Sequence, residues 1–257
     1  MKPLCAFLLA AAAALAQSGG PPQVVNAKVE TRAFSGDLSS EMKSAAPAWF
    51  GYSIKVKRGD HDTCHTRAAQ PVPLEGTDTI ALLFRVENNQ VQKVRIFSLE
   101  CSLDAGGLPF TWIAGVPAAQ SIDLLRRLIH QNANVSNEAI LSLSMHDDPA
   151  ATDALIQLAK ADPSPHIRQQ ALFWLSQKAG SRAIATITDA ILNDPDTNVK
   201  KRAVFALAQL PKDEGVPKLI EIARTQRNPE VRKQAFFWLG QSRDPRALAF
   251  FEEVLVK

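Results

Sequence analysis

The chain has 257 residues, 46% of them hydrophobic and 21% charged, with 29 basic against 26 acidic side chains and a formal charge of +3. That length holds one large or two medium domains with proper cores, and a charge so near neutral lacks the long-range attraction that draws a nucleic-acid binder to phosphate. Nucleic acid is therefore not the expected partner, and the ordinary apolar fraction implies that the bulk of the chain is soluble.

The N-terminus reads as a processing signal. Met1-Lys2 supplies a positive charge, Leu4 to Leu15 is an apolar run of twelve residues, and Ala14-Leu15-Ala16 places small residues at both positions that cleavage reads. Residues 1–16 are thus expected to be a signal peptide, and the protein to be exported, periplasmic or secreted. Twelve residues make a helix of roughly 18 Å, short of the roughly 30 Å hydrocarbon core, so no permanent membrane span is expected. Cys5 stands at the start of the apolar run and not at its end, where a lipid-modified cysteine would stand, and is expected to leave with the leader. In an oxidising compartment the remaining pair, Cys64 and Cys101, is expected to form one disulfide, with two buried free thiols as the alternative.

From 17 to 117 the pattern is that of strands. Val24 to Phe34, Trp49 to Val56, Thr79 to Glu87 and Val91 to Leu99 are rich in Val, Ile and Phe and are separated by turn-forming residues. Asn88-Asn89 tolerates positive φ and predicts a hairpin between the last two. A short helix is expected within 35–48 and a long loop over 60–76. Asp60-His61-Asp62-Thr63-Cys64-His65 crowds potential metal ligands, but without a recognised zinc spacing it reads as a solvated loop.

From 118 to 257 the sequence repeats. Segments beginning at Val135, Ile167, Val199 and Val231 stand 32 residues apart, and each carries a β-branched residue, Ala and Leu at relative positions one, five and nine. At 100° per residue those positions fall within about 80° of one another, which makes them the core face of a helix. Asp162-Pro163, Asp194-Pro195 and Asn228-Pro229 precede three of the segments as helix-entry signals, with the Asx side chain available as a cap. A second helix recurs at the same period through Leu155, Ile187, Leu219 and Phe251, and through Leu158, Ala190, Ile222 and Val254. Two amphipathic helices per unit mean a stacked array of about nine helices. The fold class expected is α+β in two domains: a small antiparallel β domain over 17–117, then an all-α solenoid over 118–257.

The helix starts Pro229-Glu230-Val231-Arg232 and Pro165-His166-Ile167-Arg168, followed by Ala and Leu at the core spacing, resemble HEAT repeats, in particular the shorter HEAT-like repeats first described in phycobilisome bilin lyases. The resemblance covers roughly the last 140 residues, and the first unit departs from it with Ser136 where the others have Arg or Lys. It implies a binding surface, scaffold or chaperone-like module, with enzymes in a few branches. The iron-dependent deoxyhypusine hydroxylases of this repeat type use His-Glu pairs as metal ligands, and no His-Glu dipeptide occurs here.

The resemblance also places the segments that start Pro-x-Val-Arg on the concave side. Relative position seven lies about 150° from the middle of the core stripe and reads Leu141, Phe173, Phe205 and Phe237. One turn on stand Met145, Gln177, Gln209 and Gln241; one turn before stand Glu138, Gln170, Arg202 and Gln234. This aromatic column edged by amides is the candidate partner-binding surface, for a protein or an extended peptide, with rings packed on one another across repeats as the alternative. Trp174 and Trp238, closer to the core stripe, are expected in the core, and His130, His146 and His166 as cations at helix ends. No catalytic residue, cofactor or metal site is expected. The function expected is that of an exported interaction scaffold or adaptor; the alternative is a lyase or chaperone-like enzyme acting on a small ligand at the domain junction.

Overall fold

The computed structural model describes residues 20–59, 64, 77–178 and 180–255. The expected leader at 1–16 and the acidic, histidine-bearing loop, apart from Cys64, lie outside the described residues. The chain divides into two compact units between Asp148 and Pro149.

In the first unit the chain runs through β1 (Val24–Val25), β2 (Val29–Ala33), α1 (Leu38–Glu41), β3 (Ala48–Gly59), β4 (Thr77–Glu87), β5 (Gln90–Ser98), β6 (Leu103–Asp104) and β7 (Phe110–Ala114), then α2 (Ala118–Leu128) and α3 (Ala133–Met145). Five strands form one sheet in the order β2-β7-β3-β4-β5. The β3-β4-β5 side is antiparallel, closed by the expected hairpin, whose Asn88 and Asn89 both take positive φ, 53° and 58°. That is the pair of left-handed residues a type I′ turn requires. β7 adds parallel to β3, and β2 parallel to β7. The expected antiparallel sheet therefore extends into a mixed one, because β7 returns from beyond the hairpin in the direction of β3.

Alternation in the strands sets the two faces. Phe50, Tyr52, Ile54 and Val56 of β3 and Ile80, Leu82, Phe84 and Val86 of β4 are buried on one of them. Tyr52 there stacks on Phe84 at 5.4 Å and reaches α2, while α3 packs over β5. On the other face Ala81, Leu83, Phe110, Trp112 and Ala114 form a second apolar cluster, with Trp49 and Phe97 at its margin. Gly51 lies between Leu83 and Trp112, where a Cβ would come within 2.7 Å of the Leu83 side chain, so the residue is small to admit the indole. Cys64 and Cys101 form the expected disulfide. At the end of α3, His146 makes an antiparallel bridge with Val56, and the N–H of Asp147 donates to the Lys55 carbonyl at 3.0 Å. Strands give way to helices at 114–118, but these contacts join α2 and α3 to the sheet, and compactness divides the chain only after 148.

The second unit is helical: α4 (Pro149–Ala161), α5 (Pro165–Ser176), α6 (Ser181–Asn193), α7 (Thr197–Ala208), α8 (Lys212–Thr225), α9 (Pro229–Ser242) and α10 (Pro245–Leu255). With α2 and α3 this makes the expected nine helices in alternating sequence among the described residues. The stripes Ile167/Ala171/Leu175, Val199/Ala203/Leu207 and Val231/Ala235/Leu239 are all buried, as is Val135/Ala139/Leu143 in the first unit. Helix entry differs in detail from expectation. Asn228 caps α9 through Glu230 and Val231, but α7 is capped by Asp196, two residues after Asp194. Asp162 and Asp194 instead close turns onto the N–H groups of Ser164 and Asp196.

Asp194 also accepts two hydrogen bonds from Arg168, at 2.8 and 3.0 Å, in a buried fork that ties successive repeats together. The guanidinium is held further by the Asp162 carbonyl at 2.8 Å. At Gly215 in α8 a Cβ would lie 2.6 Å from the Leu207 carbonyl, so a side chain there would force α7 and α8 apart. In α10 the buried residues are Ala247 and Phe250, and the expected core positions Phe251 and Val254 are half-buried and exposed.

Candidate partner-binding face

Within the second unit the first helices α5, α7 and α9 pack more closely on one another than the second helices do. That is the arrangement of the inner row of a curved stack. Phe173 and Phe205, one per repeat, stand on this row with ring centroids 6.2 Å apart and planes within 7°. Arg202, three residues before Phe205 on α7, lays its guanidinium 4.9 Å from the Phe173 centroid and 4.8 Å from that of Phe205. Trp238 of α9 continues the run 5.0 Å beyond Phe205, and Phe237 meets Trp238 edge-on. Trp174 meets Phe173 likewise at 4.8 Å. The rings thus pack on one another across three repeats while staying open to solvent: Phe173, Phe205, Trp174 and Trp238 are half-buried, and Phe237 is 52% exposed.

Phe205, Trp238 and Arg202 border a cleft of about 560 Å³ whose remaining lining is Gln169, Asn198, Lys201 and Gln234. None of these is an acid. Arg202 has no hydrogen-bond or carboxylate partner among the described residues, and burial against the rings lowers its pKa from the ordinary arginine value. A guanidinium stays charged through such a shift. Trp238 Nε1 is buried and likewise has no hydrogen-bond partner among the described residues.

Of the residues singled out from sequence, the structure brings together Phe173, Phe205, Arg202 and Gln234, with Phe237 beside Trp238. Gln170 is half-buried on α5. Gln177, Gln209 and Gln241 form an exposed series at the C-terminal ends of their helices, where Gln177 and Gln209 use their backbone N–H groups as helix caps. The core assignment of Trp174 and Trp238 is corrected. Their indoles are too large to turn inward beside fully buried Leu175 and Leu239, and they join the aromatic column instead. Gln169 and Lys201 were missed although they stand four residues before Phe173 and Phe205, the same helix-face rule read one residue further back.

The first unit holds a different constellation. His146, expected as a cation at a helix end, is 2% exposed. Its Nδ1 lies 2.9 Å from the Ser142 carbonyl and its Nε2 lies 2.8 Å from Ser121 Oγ, which is 2.9 Å from the Tyr52 hydroxyl. A carbonyl only accepts, so Nδ1 carries hydrogen; in the neutral ring Nε2 then accepts from Ser121, and Tyr52 donates to Ser121. Desolvation by burial drives the Tyr52 pKa well above its ordinary value. A separate cleft of about 310 Å³ in this unit is bordered by Trp49, Leu83, Phe97, Phe110 and the Cys64–Cys101 disulfide.

Paired amphipathic helices stacked at a fixed period, with a side-chain ladder along one row, define an α-solenoid. A model of HEAT repeats matches residues 110–176 and 184–257, more than half of the chain, and the chain belongs to that family. Among curated proteins none matches. Human deoxyhypusine hydroxylase, solved in complex with glycerol, is similar over 47% of this chain and 43% of its own, at 17% identity and a TM-score of 0.39, so the present chain spans less than half of its length. The CpcE–CpcF complex of phycocyanin lyase from Nostoc sp. is similar over 47% of this chain and 81% of its own, at 22% identity and a TM-score of 0.37. Among the described residues no helix is long and apolar enough to cross a membrane.

Proposed function

We propose that this is an exported HEAT-repeat scaffold or adaptor that binds another protein on the α5–α7–α9 row. The observation that carries the reading is the half-exposed column of Phe173, Phe205, Trp238 and Phe237 with Arg202 laid across it. Aromatic and arginine side chains concentrate the energy of protein interfaces, and large rings left in water are retained where a partner covers them. Gln170 and Gln234 flank the column and Gln177, Gln209 and Gln241 edge it, with amides able to pair with a peptide backbone. Export is supported by the leader at 1–16 and by the disulfide, and residues 17–117 supply a sheet module in front of the array.

Affinity capture from the native compartment tests the reading. The wild-type chain should retain a partner that Phe205→Ala and Phe237→Ala lose, with far-ultraviolet spectra unchanged. An identical set of captured proteins for all three would sink it.

A second reading, action on a small apolar ligand as in a lyase or chaperone, is favoured by the cleft beside the disulfide. It predicts saturable binding of an apolar fluorescent probe that Leu83→Trp abolishes and Phe237→Ala leaves intact.

A further inference from the structure

Over the whole array the charges balance, and the balance conceals a segregation. The first helices α5, α7 and α9 carry Arg168, Lys200, Lys201, Arg202, Arg232 and Lys233 against Glu230 alone. The second helices α4, α6, α8 and α10 carry seven acidic and six basic residues. The cationic excess therefore sits on the row that bears the aromatic column. Arg168 spends its charge internally on Asp194, and Lys200 donates to the Leu192 carbonyl, which leaves Lys201 and Arg202 at the cleft.

The cleft is also rich in donors. Arg202 offers five N–H groups in a planar fork, Lys201 an ammonium, Gln169, Asn198 and Gln234 an amide each, and Trp238 a buried indole N–H that meets no acceptor among the described residues. A buried donor without an acceptor destabilises a fold, and a ligand that brings acceptors removes that penalty. The rings do not satisfy Arg202 either, since a guanidinium over an aromatic face keeps its edge free for hydrogen bonds.

We propose that the partner docks an acidic, extended segment on this row, with a carboxylate of that segment bound by Arg202 and flanked by Lys201. The proposal rests on the reading that the row binds a protein, and names the chemistry of what it binds. The Arg fork matches a carboxylate in two parallel bonds, and the amides around it match the alternating N–H and C=O groups of an extended backbone. An acidic polysaccharide fits less well. The Phe173 and Phe205 rings are stacked on each other with Arg202 laid against both, so their faces are not free for a sugar ring to stack on.

The test uses the full mature chain labelled with nitrogen-15 and three probes: a short extended peptide alternating glutamate with leucine and proline, the same peptide with every glutamate replaced by glutamine, and an oligogalacturonate. The glutamate peptide should shift the Arg202 Nε–H and Trp238 Nε1–H resonances and bind at least about tenfold more tightly than the glutamine peptide, the step expected for one charge-assisted pair. Arg202→Met, which keeps an unbranched apolar stem against the rings, should remove that preference, and Arg202→Lys should restore part of it. If both peptides bind equally and Phe205→Ala weakens both, the row still binds protein but the acidic specificity is overturned. If neither peptide binds, or binding ignores Phe205→Ala, the proposal fails together with the reading beneath it. Tighter binding of the oligogalacturonate would overturn the choice of a protein partner.

Discussion

In the sheet unit Tyr52, Ser121 and His146 form a chain in which each hydroxyl and ring nitrogen has a partner, ending on the Ser142 carbonyl. In the repeat unit Arg202 and the indole of Trp238 sit against apolar rings with no acceptor among the described residues. Both clusters combine an aromatic side chain with a nitrogen base or cation, yet one is closed and the other open. A closed polar chain in a dry interior fixes packing, whereas donors left at the wall of a cleft have capacity to spare for a ligand. The Arg168–Asp194 fork shows that the repeat unit closes such networks too where their role is structural.

Breaking a closed network should therefore unfold, and breaking the open one should not. The largest effect is expected at the fork. Asp194→Ala leaves the buried Arg168 without its carboxylate and should destabilise the protein by about 3 kcal/mol. Replacing both residues by Met and Leu should recover most of that loss in denaturant unfolding. A double variant as unstable as the single one would mean that the pair does more than neutralise itself.

The chain at Tyr52 should show a smaller effect with a pH signature. Tyr52→Phe removes one buried hydrogen bond, for a loss of about 1 kcal/mol. The chain has a single tyrosine, so tyrosinate absorbance reports this residue alone. In the unfolded chain it ionises near about 10, while burial holds the folded-state pKa higher. The group thus contributes stability that is fully present below about 10 and is lost as pH rises from there toward the folded value. Tyrosinate should appear together with alkaline unfolding, and Tyr52→Phe should lessen the fall in stability over that range. A native protein that ionises its tyrosine near the ordinary value, without unfolding, would contradict the buried chain.

The closed parts of this molecule were more legible in the sequence than the open one. A core stripe repeats because each unit must bury the same face, so the period of 32 residues located the helices and their buried positions. Asn88-Asn89 announced its hairpin because two consecutive left-handed residues suit few side chains. β7 escaped notice since its five residues pair with β2 and β3 from far along the chain, and no local period marks parallel partners. His146 looked like any helix-end histidine, because its partners Ser121 and Tyr52 converge only through tertiary packing. At the candidate face, position seven identified Phe173, Phe205 and Phe237, but the charge segregation was averaged away in the count over the whole array. Trp238 was assigned inward because helical angle alone says nothing about whether an indole fits beside Leu239.

Phe237 offers the sharpest separation between packing and binding. Phe205 is flanked by Phe173, Trp238 and Arg202, so its replacement by Ala removes ring contacts worth about 1 kcal/mol as well as any partner contact. Phe237 is 52% exposed and meets Trp238 edge-on, so Phe237→Ala should change stability by no more than about 0.5 kcal/mol. If the column is a binding surface, that variant keeps the wild-type melting curve and loses the partner. If the rings exist only to pack across repeats, Phe237→Ala should be silent in both measurements, while Phe205→Ala lowers the melting temperature and leaves capture intact. The two variants together thus separate an open surface from a closed one, since only an open surface makes its least buried ring matter more to a partner than to the fold.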